Sequence, residues 1–197
     1  MNPAIERAAA LMTGFHSPWG IAGGWAIDLF LGRESRPHAD IDVAILRDDQ
    51  RELHTRLSSA RVEKVAAHQL VHWAVDETLA PPIHEVHATW PDGYHLEFLL
   101  NEQDRQTGEW VYRRDPRIRL PIGAAFCGDR AMRYLAPEIV LLYKSKAPSA
   151  KDDADFESVR PFLRARQRVW LRDALSLTAP GHRWGAATTS ESTRAPD

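Results

Sequence analysis

The 197-residue sequence predicts an α/β domain followed by a small helical lobe. Two observations predict it. Over the first two thirds of the chain, short apolar or alternating segments typical of strands recur among amphipathic helical segments. Later, from Pro137, apolar residues recur at helical spacing. We therefore predict an α/β domain over residues 1–130, a helical lobe packed on it over residues 131–178, and a disordered tail over residues 179–197, which is rich in Gly, Ser, Thr and Pro.

The first elements alternate between helix and strand. Gly32 is a typical C-terminal stop for the second helix, because glycine readily adopts the left-handed conformation found there. The predicted elements are a helix from 4 to about 13, a strand over 18–22, a helix over 23–31, a strand over 40–46 and an amphipathic helix over 48–60.

The middle of the chain predicts strands, and the end predicts helices. Pro91-Asp92-Gly93 between two alternating segments is a hairpin signal, and Pro137 suits the first turn of a helix. Strands are predicted over 62–67, 70–75, 83–89 and 94–100, with short ones at 110–113 and 117–120 in a region that is otherwise irregular. Helices are predicted over 137–146, 151–163 and 167–175.

Composition restricts the class of partner. The net charge of −2 gives no general attraction to nucleic acid or to an anionic membrane. The single cysteine, Cys127, excludes an intrachain disulfide and is typical of a reducing compartment. The start lacks the pattern of a signal peptide, and no apolar run reaches the length of a membrane span. We therefore predict a cytoplasmic protein with no membrane partner, for which nucleic acid is disfavoured.

The segment from Trp19 to Leu46 contains the residues that indicate chemistry. Gly23 and Gly24 place bare backbone N–H groups at a predicted helix N-terminus, which is an anion site. Asp40 and Asp42 alternate along the next strand, so their carboxylates project to one side, about 7 Å apart, and can share a hard cation. A phosphate site beside metal-binding carboxylates predicts nucleotide chemistry.

These residues resemble the polymerase-β-type nucleotidyltransferase superfamily. Gly23-Gly24-Trp25-Ala-Ile-Asp28 and His38-Ala-Asp40-Ile-Asp42 are most similar to the antibiotic-modifying branch, the aminoglycoside 2''-adenylyltransferases and lincosamide nucleotidyltransferases. The segment from Pro137 to Phe156 is similar to the helical part of that group. The resemblance implies a nucleotidyltransferase fold with a mixed sheet, Mg²⁺, and transfer of a nucleoside monophosphate, AMP from ATP, to a hydroxyl-bearing small molecule such as an aminoglycoside or a lincosamide.

Asp40, Asp42 and Glu97 are the predicted metal-binding and catalytic residues. Glu97 lies between Leu96 and Phe98 on a predicted apolar strand, where a carboxylate needs compensation by a metal or a catalytic role. It could be the general base on the acceptor hydroxyl, a metal ligand, or both. The family more often has Asp at this position. Glu85, on the partner strand of the hairpin, is the reserve candidate.

Backbone and basic groups are predicted to hold the triphosphate. Gly23 and Gly24 would donate N–H groups, without the serine hydroxyl that many superfamily members have at the second position. Arg36 and His38, in the loop before the acids, could contact phosphate, and His38 could instead position Asp40. Lys144 would belong to a cationic wall. The remaining predictions are helix caps at Asp152 and Asp155 and stacking surfaces at Trp90 and Trp110.

Three functions remain open at this point. The first is modification of an antibiotic, the second is a toxin or antitoxin enzyme that modifies protein or RNA, and the third is a nucleotide-binding module without catalysis. A cationic antibiotic calls for an acidic cleft and RNA for a basic one. Acids and arginines are both present between residues 85 and 119, so the sequence does not decide between them.

Overall fold

A computed structural model of the chain describes residues 2–129 and 131–188. Within these residues ten strands form one mixed sheet, and the resemblance implied that the sheet would be mixed. The strands are β1 (Trp19–Ile21), β2 (Asp42–Leu46), β3 (Arg61–Ala66), β4 (Gln69–His72), β5 (Glu85–Thr89), β6 (His95–Asp104), β7 (Glu109–Val111), β8 (Arg119–Pro121), β9 (Phe126–Gly128) and β10 (Arg133–Leu135). Their order is β4-β3-β5-β6-β2-β1-β10-β9, and β7 pairs with β6 and β8. The pairs β1–β10 and β2–β6 are parallel and the others antiparallel.

Helices cover the sheet on both sides. They are α1 (Pro3–Leu11), α2 (Gly23–Leu31), α3 (Gln50–Arg56), α4 (Ile122–Ala125), α5 (Pro137–Lys144), α6 (Ala150–Val159), α7 (Ala165–Thr178) and α8 (Arg183–Ala187). No helix in the described part of the chain is long and apolar enough to span a membrane.

The alternation of side chains along β2 creates two cores. Val43 and Ile45 face one side, where they pack with Leu53 of α3 and with α1. Ala44 and Leu46 face the other side, where they belong to the core formed by α5, α6 and α7. Because successive residues of a strand point to opposite faces, one apolar strand supplies both cores.

The sheet extends past the predicted domain boundary at residue 130. The sequence predicted no strand between 121 and 136, but β9 and β10 form there, and β10 lies beside β1 with Tyr134 opposite Ile21. A strand that belongs to the main sheet therefore lies within the range predicted for the helical lobe. Both strands are only three residues long, too short to show periodicity.

The disordered tail predicted from residue 179 is wrong for its first part. Residues 183–187 form α8, and Trp184 is only 2% exposed. Its indole stacks on Phe156 with ring centroids 4.7 Å apart, and its Nε1–H donates to Asp153 at 2.9 Å. One buried aromatic residue thus anchors a segment of low hydrophobicity. Positions 189–197 of the predicted tail lie outside the described residues.

Replacing Trp184 with alanine is expected to lower the free energy of unfolding by about 3 kcal/mol, because the change removes a buried indole that the surroundings cannot fill. Urea denaturation followed by circular dichroism measures it. Leu177→Ala is the matched control, because Leu177 is 43% exposed in the neighbouring helix. Its replacement should lower the free energy of unfolding much less. Equal denaturation midpoints for the two variants would show that α8 does not contribute to the fold.

Candidate active site

The glycine turn between β1 and α2 brings the backbone close to an acid. Gly23 has a φ of 57°, a left-handed conformation, and a Cβ there would overlap the carboxylate of Asp42. A Cβ on Gly24 would overlap the ring of His38. No side chain among the described residues caps the N-terminus of α2, so its first N–H groups are open to an anion. The turn therefore has the features of an anion site next to a carboxylate.

Asp42 and Glu97 lie side by side on the sheet. They are register partners of the parallel strands β2 and β6, so their side chains project to the same face. Glu85, opposite Leu99 on β5, shares that face. Asp40 is exposed and precedes the strand, which begins at Asp42 and not at Asp40 as predicted. The structure therefore brings the predicted acids to one end of β2.

The crowding of these acids changes their ionisation. Burial, followed by the charges of Glu97 and Asp40, raises the pKa of Asp42 to about 7. Burial also raises the pKa of Glu97; the neighbouring His87 opposes this shift, while Glu85 and Asp40 add to it. Like charges held close together in a partly buried site favour a bound cation, because a cation compensates the charge that protonation would otherwise remove.

The loop of residues 33–38 is tied to the helices by ion pairs. Nε2 of His38 lies 2.6 Å from Oδ2 of Asp28, and both side chains are 4% exposed. Among the described residues, His38 thus pairs with Asp28 and not with Asp40. Arg36 donates from Nε and Nη2 to the two carboxylate oxygens of Asp155, at 3.0 Å each. This bidentate pair connects the loop to α6.

Lys144 is also paired with acids. Its Nζ lies 2.6 Å from Asp152 and 3.0 Å from Asp155. Asp152 forms a capping box with Ser149, which confirms its prediction as a cap. The same prediction for Asp155 is wrong, because Asp155 lies beyond the first turn of α6 and is buried between Lys144 and Arg36. Two predicted phosphate-binding cations are therefore largely neutralised within the protein.

A cavity of about 300 Å³ lies beside the glycine turn. Glu85 and Lys144 are among its lining residues, and so are Arg113 and Arg114. These two exposed arginines lie against the ring of Tyr143 and, unlike Lys144, have no carboxylate partner among the described residues. The cavity is thus lined by one acid, Glu85, and by two arginines whose charges no described carboxylate neutralises.

Neither tryptophan predicted as a stacking surface lines this cavity. Trp110 is fully buried and donates its Nε1–H to Oδ1 of Asn101 at 2.9 Å, so it is a core residue and the prediction for it is wrong. Trp90 packs against the core formed with α1 and α3 and donates to Ser59.

The sequence reasoning missed three groups. Asp28 carried a signal, because it is the one acid in the apolar run of α2 and therefore needs a buried partner. The sequence around Asp155 gave no signal of its role, because its partner Arg36 is far away in the sequence. Arg113 and Arg114 belong to the group of arginines noted in the sequence, but their position at the cavity follows only from the fold.

Gly24→Ala is expected to reduce activity by about tenfold or more, because the added methyl group must displace His38 and Arg36 from α2. Measurement of the transfer rate and of nucleotide affinity tests this. Gly123→Ala is the control, since a Cβ at Gly123 meets no atom within 4 Å. Equal activity of the two variants would contradict the close approach seen at Gly24.

Three solved structures are similar to this chain. The solution structure of the antibiotic-resistance factor ANT(2'')-Ia has a TM-score of 0.59 at 19% identity and covers 94% of this chain and 93% of that one. The lincomycin-bound lincosamide antibiotic adenylyltransferase LnuA gives 0.58 at 16%, covering 83% and 98%. ANT(2'')-Ia in complex with adenylyl-2''-tobramycin gives 0.57 at 18%, covering 90% and 98%. These likenesses confirm the fold. A search of curated proteins gave no match.

The sequence model of a family described as aminoglycoside-2''-adenylyltransferase matches residues 4–119. The match covers more than half of the chain and includes the glycine turn, Asp40, Asp42 and Glu97. This match agrees with the similarity to the solved structures and with the resemblance of the sequence motifs to antibiotic-modifying nucleotidyltransferases. This chain therefore belongs to the aminoglycoside-2''-adenylyltransferase family and is a nucleotidyltransferase enzyme.

Proposed function

We propose that this enzyme transfers AMP from ATP to a hydroxyl group of an aminoglycoside in the presence of Mg²⁺. The observation that carries the proposal is the register pair of Asp42 and Glu97 beside the open N-terminus of α2. A nucleotidyl transfer needs groups for the triphosphate, a cation and a proton acceptor, and this arrangement supplies candidates for all three.

Asp40, Asp42 and Glu97 would hold Mg²⁺. Their carboxylate oxygens are the ligands that this ion prefers, and the raised pKa of Asp42 supports the need for a cation there. When bound, Mg²⁺ polarises the phosphoryl oxygens and neutralises the charge that develops during transfer.

The glycine turn would bind the triphosphate through the N–H groups of Gly23 and Gly24. Lys144 has three N–H donors, of which Asp152 and Asp155 take two, so one is left for a phosphate oxygen. Arg36 and His38, which the sequence assigned to phosphate binding, would act chiefly by holding their loop against the turn, because each is already paired with an aspartate.

Glu97 would accept the proton of the acceptor hydroxyl. The acceptor oxygen forms a bond to the α-phosphorus while the bond to pyrophosphate breaks, and the proton passes to the Glu97 carboxylate. A pKa raised by burial brings this carboxylate closer to neutral pH, which suits a general base.

The charge around the acids favours a cationic acceptor over RNA. Glu85 and Glu97 lie on one face of neighbouring strands and give it negative charge, whereas Glu63 on the same face is paired with Arg61. Of the four arginines that suggested a basic cleft, Arg117 pairs with Asp115 and Arg119 with Asp104. Arg113 and Arg114 keep their positive charge at the cavity, so the preference for a cationic acceptor rests on the acids of β5 and β6. Aminoglycosides are polycations, and one related structure contains an adenylylated aminoglycoside.

The test is incubation of the purified chain with Mg²⁺ and labelled ATP, with an aminoglycoside panel, lincosamides and total RNA as separate acceptors. We expect label on an aminoglycoside, released pyrophosphate in equal amount, and no product with EDTA. Label on a lincosamide would show that the acceptor is a lincosamide and not an aminoglycoside. Label on RNA or protein would show that the enzyme modifies a macromolecule and not an antibiotic. Nucleotide binding without pyrophosphate release under every condition would contradict catalysis.

A further inference from the structure

Two histidines, His87 and His95, lie close to the carboxylate of Glu97. His87 of β5 is its register partner, and His95 precedes it by two residues on β6, so all three side chains share one face. Oε1 of Glu97 lies 3.9 Å from Nδ1 of His87 and 3.8 Å from Nε2 of His95. The three donor atoms lie within 4.8 Å of one another.

These separations are too long for hydrogen bonds and slightly longer than the edges of a metal site. A hydrogen bond between nitrogen and oxygen ends near about 3.2 Å. Ligands about 2.0–2.1 Å from a tetrahedral zinc ion lie roughly 3.3 Å apart. A contraction of about half an ångström would bring the nitrogens of His87 and His95 to that spacing from the Glu97 carboxylate. The two nitrogens lie within 4.8 Å of each other and would approach by up to about 1.5 Å.

The outer nitrogen of each histidine already has a partner. Nε2 of His87 lies 2.6 Å from Oε1 of Glu85, and Nδ1 of His95 lies 2.9 Å from Oγ1 of Thr89. When Nε2 of His87 donates to Glu85, Nδ1 presents its lone pair to the carboxylate of Glu97. Two electron-pair donors then face each other with no hydrogen between them. A second hydrogen bond that fixes the imidazole is the usual surrounding of a metal-binding histidine.

We propose that His87, His95 and Glu97 form a binding site for one divalent transition-metal ion, for which Zn²⁺ fits best. Two imidazoles and one carboxylate suit Zn²⁺, whereas Mg²⁺ prefers oxygen ligands alone. All three side chains are partly exposed, at 14%, 35% and 21%, so the fourth position is open to water or to another ligand. This site contains neither Asp40 nor Asp42, and it shares only Glu97 with the proposed Mg²⁺ site.

The shared carboxylate links this site to the reaction, and this consequence alone rests on the proposed function. Zn²⁺ bound to Glu97 would compete with both roles proposed for that carboxylate, which are binding of Mg²⁺ beside Asp42 and acceptance of the proton of the acceptor hydroxyl. Micromolar Zn²⁺ is therefore expected to inhibit the transfer that Mg²⁺ supports.

The test is isothermal titration calorimetry of ZnCl₂ into the untagged, chelator-treated chain without nucleotide, with visible absorption of added Co²⁺ as a second measurement. We expect one ion per chain. His95→Gln should lower the affinity about 100-fold or more, and Thr89→Val, which removes only the partner of Nδ1, about 10–100-fold. Circular dichroism confirms that each variant is folded.

His72→Gln is the matched control, because His72 is exposed on β4 in the same row of the sheet and has no place in the cluster. It should bind Zn²⁺ as the unchanged protein does. The proposal is overturned if no ion binds, if His95→Gln binds normally, or if Asp42→Asn abolishes binding while His95→Gln does not. Since no nucleotide is present, zinc binding and nucleotidyl transfer can succeed or fail separately.

Discussion

Asp42→Asn is expected to abolish nucleotidyl transfer and, in the same protein, to raise the free energy of unfolding of the metal-free chain. The activity should fall by about 10³-fold or more, since a metal site supplies several kcal/mol of charge stabilisation and each factor of ten in rate corresponds to about 1.4 kcal/mol. The gain in stability follows from removing a buried charge that Glu97 and Asp40 repel. Opposite effects on stability and activity are typical of a site shaped for a ligand.

The gain in stability should depend on pH. An unfolded aspartic acid ionises at about pH 4, whereas native Asp42 ionises at about 7. Below pH 4 the carboxyl group is protonated in both states and contributes nothing. As pH rises towards 7 the unfolded chain releases its proton first, so the native state loses stability relative to the unfolded state. The free energy of unfolding of Asp42→Asn should therefore equal that of the unchanged protein near pH 4 and exceed it by about 1–4 kcal/mol above pH 7.

Urea denaturation in EDTA at several pH values measures this difference, and a transfer assay with Mg²⁺ measures the activity. Asp173→Asn is the control, because Asp173 lies exposed on α7 and its ion pair among the described residues is with its neighbour Arg172. Addition of Mg²⁺ should stabilise the unchanged protein more than Asp42→Asn. An Asp42→Asn variant that is less stable than the unchanged protein at pH 8, or that retains activity, would exclude Asp42 as the buried metal ligand.

Glu97→Gln is expected to lower kcat by about 10²–10⁴-fold, the usual contribution of a general base, because an amide of the same shape cannot accept the proton. Glu97→Asp should keep part of the activity, since it retains the carboxylate on a side chain one methylene shorter. The control is Glu63→Gln, on the same face of the sheet but one strand beyond His87 and paired with Arg61. Rapid-quench measurement of AMP transfer compares the variants.

Nucleotide affinity in the presence of Mg²⁺ separates the two roles of Glu97. If Glu97 acts only as the base, Glu97→Gln should bind nucleotide as the unchanged protein does. If it also binds the metal, the affinity should fall together with kcat. A variant with normal kcat and normal affinity would remove Glu97 from the mechanism altogether.

Features encoded by neighbouring residues could be predicted from the sequence. α2 follows from its apolar stripe and from Gly32, which is the left-handed C-terminal residue that was expected. The face shared by Asp42 and Glu97 follows from period-two alternation within two well-marked strands. The carboxylates proposed to bind Mg²⁺ could therefore be predicted to lie together, because Asp42 and Glu97 lie in segments with a clear pattern.

Features that depend on distant partners could not be predicted. Arg36 was assigned to phosphate, but Asp155 neutralises it, and nothing near either residue indicates that pairing. β10 was missed because three residues show no period and gain their stability from β1. Trp184 was placed in a tail of polar and small residues, and its burial follows from its contacts with Phe156 and Asp153 of α6.

The position of β10 has a consequence for how the protein forms on the ribosome. β1 lies between β2 and β10, yet β10 is synthesised after the last residue matched by the family. Until then one edge of β1 has no hydrogen-bonding neighbour, and an open strand edge can pair with another chain. Lys144 and Asp155 emerge later still. A nascent chain halted at residue 119 therefore carries the acids proposed to bind Mg²⁺ but neither β10 nor the helices α5 and α6 that pack beside the glycine turn.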